Sequence, residues 1–81
     1  MMMELEGQIE GVLFWRGEPV SLGQLAAWLN QSEAEIRAGL KILENKLGER
    51  GLKLVWSGDE VALGTDPRLS PLIEKLTKEE L

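Results

Sequence analysis

The 81-residue chain is predicted to adopt a mainly helical α+β fold. Three observations predict it. Apolar residues recur at helical spacing through most of the first 48 positions, capping and turn-forming residues separate these segments, and an alternating, glycine-interrupted stretch typical of a β-hairpin follows. Apolar residues make up 43% and charged residues 28% of the chain, which is the balance of a globular protein.

The first helix is predicted over about residues 3–16 and is expected to end at Gly17, because glycine is favoured just after a helix. Its apolar residues share the spacing of one buried face, and they are Leu5, Ile9, Val12 and Leu13. The acidic Glu4, Glu6 and Glu10 are expected on the outer face of this helix.

The second helix is predicted to begin after Ser21, a good N-cap residue, and to end at Asn30. Only a short turn separates it from the first helix, so the two are expected to be neighbours in space. Its buried stripe comprises Leu22, Leu25, Ala26 and Leu29.

The third helix is predicted over about residues 33–48, because Ser32 and Glu35 have the spacing of a capping box. Its inner seam comprises Ile36, Leu40, Leu43 and Leu47. Gly39 lies inside this helix at a cost of about 1 kcal/mol relative to alanine, and close packing against another helix would explain it.

A two-stranded ribbon is predicted next, with strands over 52–57 and 61–64 and a turn at Gly58-Asp59-Glu60. The order of three helices followed by a ribbon is that of a winged helix, in which a helix-turn-helix core carries a two-stranded wing.

A C-terminal helix completes the predicted fold. Thr65 or Asp66 is expected to cap it, with Pro67 at a favourable first position, and Pro71 is expected to delay the regular helix until after it. Its apolar residues repeat at helical spacing, and they are Leu69, Leu72, Ile73 and Leu76.

Composition argues against an enzyme. The chain has no cysteine and no histidine, which removes thiolate metal sites and every mechanism that depends on imidazole. The paired carboxylates Asp59-Glu60 and Glu79-Glu80 are expected to be exposed, and they lack a partner acid, base or metal ligand. We therefore predict no catalytic, cofactor-binding or metal-binding residue. The acidic start and the short apolar runs predict a cytoplasmic protein with no membrane association.

Charge favours protein over DNA as the partner. The net charge is −5, the third helix and its end carry four acidic and four basic residues, and the predicted wing tip is acidic. A helix and wing that grip DNA need an excess of donors for phosphates. Direct sequence-specific nucleic-acid binding is therefore not expected, although a DNA-binding winged-helix transcriptional regulator remains the alternative function.

Three tryptophans stand out beside one phenylalanine and no tyrosine. Trp15 and Trp28 lie beside the apolar seams of their helices, and Trp56 alternates with Leu52 and Leu54 in the predicted strand. They either fill the edges of the core or form a protein interface, where tryptophan is enriched at binding hot spots. We take them as the candidate interface residues and expect at least one indole to be exposed.

An ordered set of short motifs resembles the bacterial segregation and condensation protein B family. The matching positions extend from about residue 7 to residue 77. They are Leu13-Phe14, Gly17-Glu18-Pro19-Val20-Ser21, Leu25-Ala26, Ser32-Glu33, Leu40, Leu43, Arg50-Gly51-Leu52, Leu54-Val55, Thr65 and Pro67. The sequence departs from the family at Trp15, where a small residue is common, and at Trp56, where a polar residue is common.

The resemblance implies a non-enzymatic subunit of a bacterial condensin-like complex that acts in chromosome condensation and partition. Family members form homodimers and bind a kleisin subunit, and through it they reach the heads of an SMC ATPase at the nucleoid. They usually contain two tandem winged-helix domains. Residues 1–81 are therefore expected to form a single winged-helix domain that resembles the N-terminal one.

Overall fold

The computed structural model describes residues 3–79 and confirms the predicted mainly helical fold with a small antiparallel sheet. In chain order the elements are α1 (Leu5–Arg16), β1 (Val20–Ser21), α2 (Leu22–Leu29), α3 (Glu33–Leu47), β2 (Leu52–Ser57), β3 (Glu60–Thr65), a 3₁₀ turn (Pro67–Leu69) and α4 (Ser70–Glu79). No helix among the described residues is long and apolar enough to cross a membrane.

The predicted helix boundaries are confirmed within two residues by their caps. Gly17 ends α1 in the left-handed conformation, with φ of 71°. The Ser21 hydroxyl accepts from the backbone N–H of Gln24, whose side chain accepts from Ser21 in return. Asn30 ends α2 with φ of 55°. At the start of α3, Ser32 forms the expected reciprocal capping box with distances of 3.0 and 3.1 Å.

The sheet has three strands, so the predicted two-stranded ribbon is incomplete. β2 and β3 form the expected hairpin, which turns at Gly58-Asp59, and Glu60 belongs to the return strand instead of the turn. The two residues of β1 pair with the other edge of β3, with Val20 opposite Val61. Two residues leave no alternating pattern in the sequence, and only the approach of β3 makes them a strand.

The core lies between the three N-terminal helices and the start of the sheet. Its buried residues are Ile9, Leu13, Val20, Leu22, Leu25, Ile36, Leu40, Leu43, Leu47 and Val61. The close approach predicted at Gly39 is present, because a Cβ atom there would lie 2.8 Å from Cδ1 of Ile9 and 3.3 Å from the Leu5 side chain. Glycine at this position therefore lets α3 pack against α1.

Glu6 is buried, so its predicted place on the outer face of α1 is wrong. The residue is 8% exposed, and its Oε2 lies 2.7 Å from Nζ of Lys46 on α3. The Lys46 ammonium donates to the Glu6 carboxylate and lowers its pKa, while the carboxylate raises the pKa of Lys46. The ion pair therefore joins α1 to α3 at the border of the core.

Of the two predicted caps, Asp66 is an N-cap, but it caps the 3₁₀ turn Pro67–Leu69 that precedes α4. The Asp66 carboxylate accepts from the backbone N–H of Arg68 at 2.8 Å, and Pro67 follows it in a 3₁₀ turn. The regular helix starts at Ser70, so Pro71 lies in its first turn and does not delay it, since proline needs no N–H there. No residue of α4 within 70–79 is buried, and the described residues measure 43 × 25 × 21 Å.

Candidate functional site: an exposed aromatic face

The structure leaves all three tryptophans at the surface. Trp15 is 79% exposed, Trp28 49% and Trp56 42%. Trp15 is exposed because Ile9 and Leu13 turn another side of α1 to the core. At least one exposed indole was expected, and none of the three fills the core.

Trp15 and Trp28 come together across the turn between α1 and α2. Both line a groove whose other walls are Val12, Arg16 and Leu29. The Arg16 guanidinium lies 5.9 Å from the centre of the Trp28 ring, within the range of a cation–π contact. The groove is therefore lined mainly by apolar and aromatic side chains, together with the cationic Arg16.

Trp56 lies elsewhere, on β2 beside α3. It lines a separate groove with Arg37, Leu40, Lys41, Glu44 and Leu54. Both signs of charge are present there, unlike the apolar groove of Trp15 and Trp28. The three candidate residues therefore belong to two surfaces.

Phe14 is the functional candidate that sequence reasoning missed. It is 77% exposed, almost as much as its neighbour Trp15. In the sequence it stands out only as part of the family motif Leu13-Phe14, although its position in α1 also predicts that it is exposed. One residue past the buried Leu13, a helix turns by about 100°, so Phe14 leaves the apolar seam. Two adjacent exposed aromatic residues on one helix are unusual for a surface that stays in water.

These residues form what we call the aromatic face. It comprises Phe14 and Trp15 on α1, Trp28 on α2, and a second groove that begins beside Trp15 and runs toward the start of α1. That groove is lined by Met3, Gly7, Gln8, Gly11, Val12, Trp15 and Leu29, none of which is charged. A Cβ atom added to Gly11 would meet no described atom within 4 Å. The face can exclude water when a partner covers it, which is how aromatic residues contribute to binding.

A second apolar surface lies on α4. The helical spacing of Leu72, Ile73 and Leu76 predicted that they share one side of a helix, and the structure leaves all three exposed. Within residues 3–79 the main contact of this helix is with the 3₁₀ turn that precedes it.

The charged groups form ion pairs that hold elements in place. The buried Asp66 carboxylate lies 2.7 Å from Arg68 and 3.7 Å from Lys53 on β2. The Arg68 guanidinium holds the pKa of Asp66 well below its usual range. The pairs Asp59-Glu60 and Glu79-Glu80 were expected to be exposed; Asp59, Glu60 and Glu79 are, and Glu80 lies outside the described residues. Residues 3–79 contain no cluster of three acidic side chains that could hold a metal ion.

Comparison with known proteins matches this chain to one family. The family model of the segregation and condensation complex subunit ScpB matches residues 7–81. A segregation and condensation protein B from Carboxydothermus hydrogenoformans is 41% identical over 78 residues, which are 94% of this chain and 42% of the relative. One from Caldanaerobacter subterraneus is 33% identical and covers 98% of this chain and 48% of the relative.

Two solved structures share the fold. A crystal structure of a dimer of the ScpB N-terminal domain with an ScpA peptide superposes with a TM-score of 0.80 at 35% identity, covering 88% of this chain and 91% of that one. ScpB from Mycobacterium tuberculosis gives a TM-score of 0.84 at 28% identity, covering 95% and 49%. The chain spans less than half the length of the curated relatives named above. By the family model and by these relatives, the chain belongs to the segregation and condensation complex subunit ScpB family.

Proposed function

We propose that this chain acts as the N-terminal domain of a homodimeric, non-enzymatic subunit of a bacterial condensin-like complex. In this proposal it binds a kleisin of the ScpA type, reaches the SMC ATPase heads through that kleisin, and serves chromosome condensation and partition at the nucleoid in the cytoplasm. The observation that carries the proposal is the likeness to a chain crystallised as a dimer with an ScpA peptide. That likeness covers 91% of the other chain.

The aromatic face supports a protein-binding role. Phe14 and Trp15 are each more than three-quarters exposed, and Trp28 is half-exposed beside them. Apolar side chains in water are costly, and a partner that covers them recovers roughly 25 cal/mol for each Å² removed from water. A domain that worked alone would gain nothing from keeping these aromatic residues at its surface.

The charges of α3 and the hairpin argue against the DNA-binding alternative. Four carboxylates and four cations are exposed along α3 and just after it, and they are Glu33, Glu35, Glu44 and Glu49 with Arg37, Lys41, Lys46 and Arg50. The exposed Asp59 lies in the hairpin turn, and the exposed Glu60 directly follows it. Phosphates would meet like charges at both elements, so we expect duplex binding no tighter than about 10⁻⁴ M at physiological salt.

The absence of enzymatic activity is also part of the proposal. The sequence has no histidine or cysteine to act as a base, nucleophile or metal ligand. The two buried carboxylates, Glu6 and Asp66, are both occupied by cations from neighbouring elements. Their lowered pKa values suit structural ion pairs, since a general acid needs a raised one.

The test has two parts. A peptide from the middle region of an ScpA-type kleisin is titrated into this chain by calorimetry. The chain alone is studied by sedimentation equilibrium. We expect a dimer at micromolar concentration and saturable, stoichiometric peptide binding. The same protein is applied to heparin at low salt as a control for DNA binding.

Three results would contradict the proposal. A monomer at tens of micromolar would remove the homodimer, and an absence of heat and of saturation with the peptide would remove the kleisin. Strong heparin retention with micromolar, salt-sensitive affinity for duplex DNA would restore the transcriptional regulator.

A further inference from the structure

We propose that the outer edge of β2 is a further protein-binding site, which takes an extended segment of a partner protein as a fourth strand of the sheet. The segment that fits this edge carries one acidic side chain between apolar ones. The proposal goes beyond the proposed function, because the groove beside β2 is separate from the aromatic face and its use requires neither the homodimer nor the kleisin.

β2 lies at an edge of the sheet and is poorly protected there. β3 lies between β1 and β2, so in the part of the chain that the structure describes no strand pairs with the other side of β2. Natural proteins shorten such strands or place charges and prolines on them, because unpaired backbone groups attract another strand. β2 has six residues, and Lys53 is its one charged residue. The Lys53 ammonium donates to the carbonyl of Gly48 and lies 3.7 Å from Asp66, so its charge is already engaged.

The register of the sheet shows which backbone groups point outward. The N–H of Leu22 donates to the carbonyl of Asp59 at 3.1 Å, so the odd-numbered residues of β3 direct their backbone groups to β1. Alternate residues of a strand bond on opposite sides, so the even-numbered ones face β2. Val55 is opposite an even-numbered residue and therefore bonds to β3. Its neighbours Leu54 and Trp56 direct their N–H and C=O groups to the open edge.

Side chains on both faces of β2 can contact an added strand. Leu54 and Trp56 line the groove that α3 forms with Arg37 and Lys41. On the opposite face of the strand, the side chain of Val55 is half-exposed. A strand has side chains on alternate faces. An added strand would therefore cover the indole with one set of its side chains and Val55 with the other.

The charge of the groove selects an acidic segment. Arg37 and Lys41 lie one helical turn apart, and neither forms an ion pair within residues 3–79. Among the described residues that line this groove, Glu44 is the one acidic residue. The groove therefore has an excess of one positive charge, which one carboxylate of a partner would balance. A lysine at the same place in the partner would instead meet two cations.

The open strand edge favours a peptide over nucleic acid as the source of that negative charge. Phosphates would also interact with Arg37 and Lys41, but they cannot continue the ladder of backbone hydrogen bonds. A peptide pairs with both the donors and the acceptors of Leu54 and Trp56, which gives affinity, while its alternate side chains give specificity.

The probe is a seven-residue peptide with blocked ends. Threonine occupies its odd positions, and valine, glutamate and valine occupy its even positions, so that β-branched residues favour the extended form. A matched peptide has lysine in place of the glutamate. Binding of each to the unmodified chain is measured by NMR titration. We expect the lysine peptide to bind at least about 10-fold more weakly, because attraction to two cations becomes repulsion.

Two variants test the role of the cations. Arg37→Gln and Arg50→Gln remove the same charge from exposed positions, but Arg50 does not line this groove. We expect Arg37→Gln to weaken binding of the glutamate peptide by about 3-fold or more, the effect of losing one exposed ion pair. Arg50→Gln is expected to bind it as the unmodified chain does.

Hydrogen exchange tests the added strand itself. In the free chain, the amide hydrogens of Leu54 and Trp56 are expected to exchange fast, whereas that of Val55 is protected by its bond to β3. A saturating amount of the glutamate peptide should slow exchange at Leu54 and Trp56 by at least about 10-fold. Contact through side chains alone would leave both rates unchanged.

Four results would overturn the proposal. They are an absence of saturation with the glutamate peptide at millimolar concentration, equal binding of the lysine peptide, saturable binding without slower exchange at Leu54 and Trp56, and displacement of the peptide by the kleisin peptide. The first three are measured without the kleisin and whether or not the chain is a dimer. Failure of this site and failure of the proposed function are therefore distinguishable.

Discussion

Gly39 shows how one residue sets the packing of two helices. Replacing it with alanine removes about 1 kcal/mol of helix-propensity cost, but the new Cβ would lie 2.8 Å from Cδ1 of Ile9, which is fully buried. Inserting a methyl group into a packed core costs roughly 1–3 kcal/mol. We expect the packing cost to win, and Gly39→Ala to unfold at lower urea than the unmodified chain.

Gly11→Ala is the matched control for that prediction. It is the same substitution in the middle of a helix, but the new Cβ meets no described atom. At concentrations where the protein is monomeric, we expect it to raise stability by roughly 0.5–1 kcal/mol. Equal effects at positions 11 and 39 would show that the close approach of α1 and α3 does not constrain position 39.

Asp66 makes stability depend on pH. Its folded-state pKa is lowered, chiefly by the hydrogen bond from the Arg68 side chain, so the folded state binds a proton less readily than the unfolded state. The resulting stabilisation is complete above the unfolded-state pKa of about 4 and is lost as pH falls below it. Asp66→Asn keeps an N-cap side chain but loses the charge.

We expect Asp66→Asn to lower the urea midpoint at pH 7 and to lower it by less near pH 2, because the unfolded-state carboxyl of the unmodified chain is protonated there. Denaturation of both proteins between pH 2 and pH 7 measures this. If the difference in urea midpoint between the two proteins stayed constant from pH 2 to pH 7, the charge of Asp66 would not be what stabilises the fold. Its contacts with Arg68 and Lys53 would then act through packing and neutral hydrogen bonds.

At the scale of elements, the helix ends were predictable because each cap depends on residues within four positions. Ser32 with Glu35 and Gly17 after α1 are local patterns, and both hold in the fold. β1 was not predictable, because its hydrogen bonds come from β3, some 40 positions later. A strand of two residues is too short to show the alternation of apolar and polar residues that predicts a strand.

α4 is the element with the least support from the rest of the fold. It has ten residues, none of them buried within the described chain. Isolated helices shorter than about 12–15 residues are marginal in water. We expect amide hydrogens of α4 to exchange much faster than those of α3, measured by hydrogen exchange on the monomer. Protection equal to that of α3 would mean that something in solution covers the Leu72 and Leu76 stripe.

For the whole molecule, the main question is which tryptophans contribute to association with a partner and which contribute to the stability of the fold. Trp15 and Trp28 are exposed, so Trp15→Ala and Trp28→Ala are each expected to change the free energy of unfolding by no more than about 1 kcal/mol. Both are expected to weaken self-association or peptide binding. Thermal melts of dilute protein report the fold, and sedimentation with kleisin-peptide titration reports association.

Leu25→Ala is the control for these variants, because Leu25 is fully buried in α2. It is expected to lose roughly 2–5 kcal/mol of stability, a large share of what a small domain has. If Trp15→Ala and Trp28→Ala both unfold as Leu25→Ala does, the aromatic face is structural and the interface must be sought at Trp56 and the hairpin.

The helices, their caps, the hairpin and the family resemblance could be predicted from the sequence, because they depend on local spacing and on ordered motifs. The lack of histidine and cysteine could also be seen there, and it excludes mechanisms that need an imidazole or a thiol. The burial of Glu6 against Lys46, the pairing of Trp15 with Trp28 apart from Trp56, and the exposure of Phe14 became visible only in the folded chain. A helix pattern shows which side chains share a side, but the neighbour that covers that side is set by contacts between residues distant in the chain.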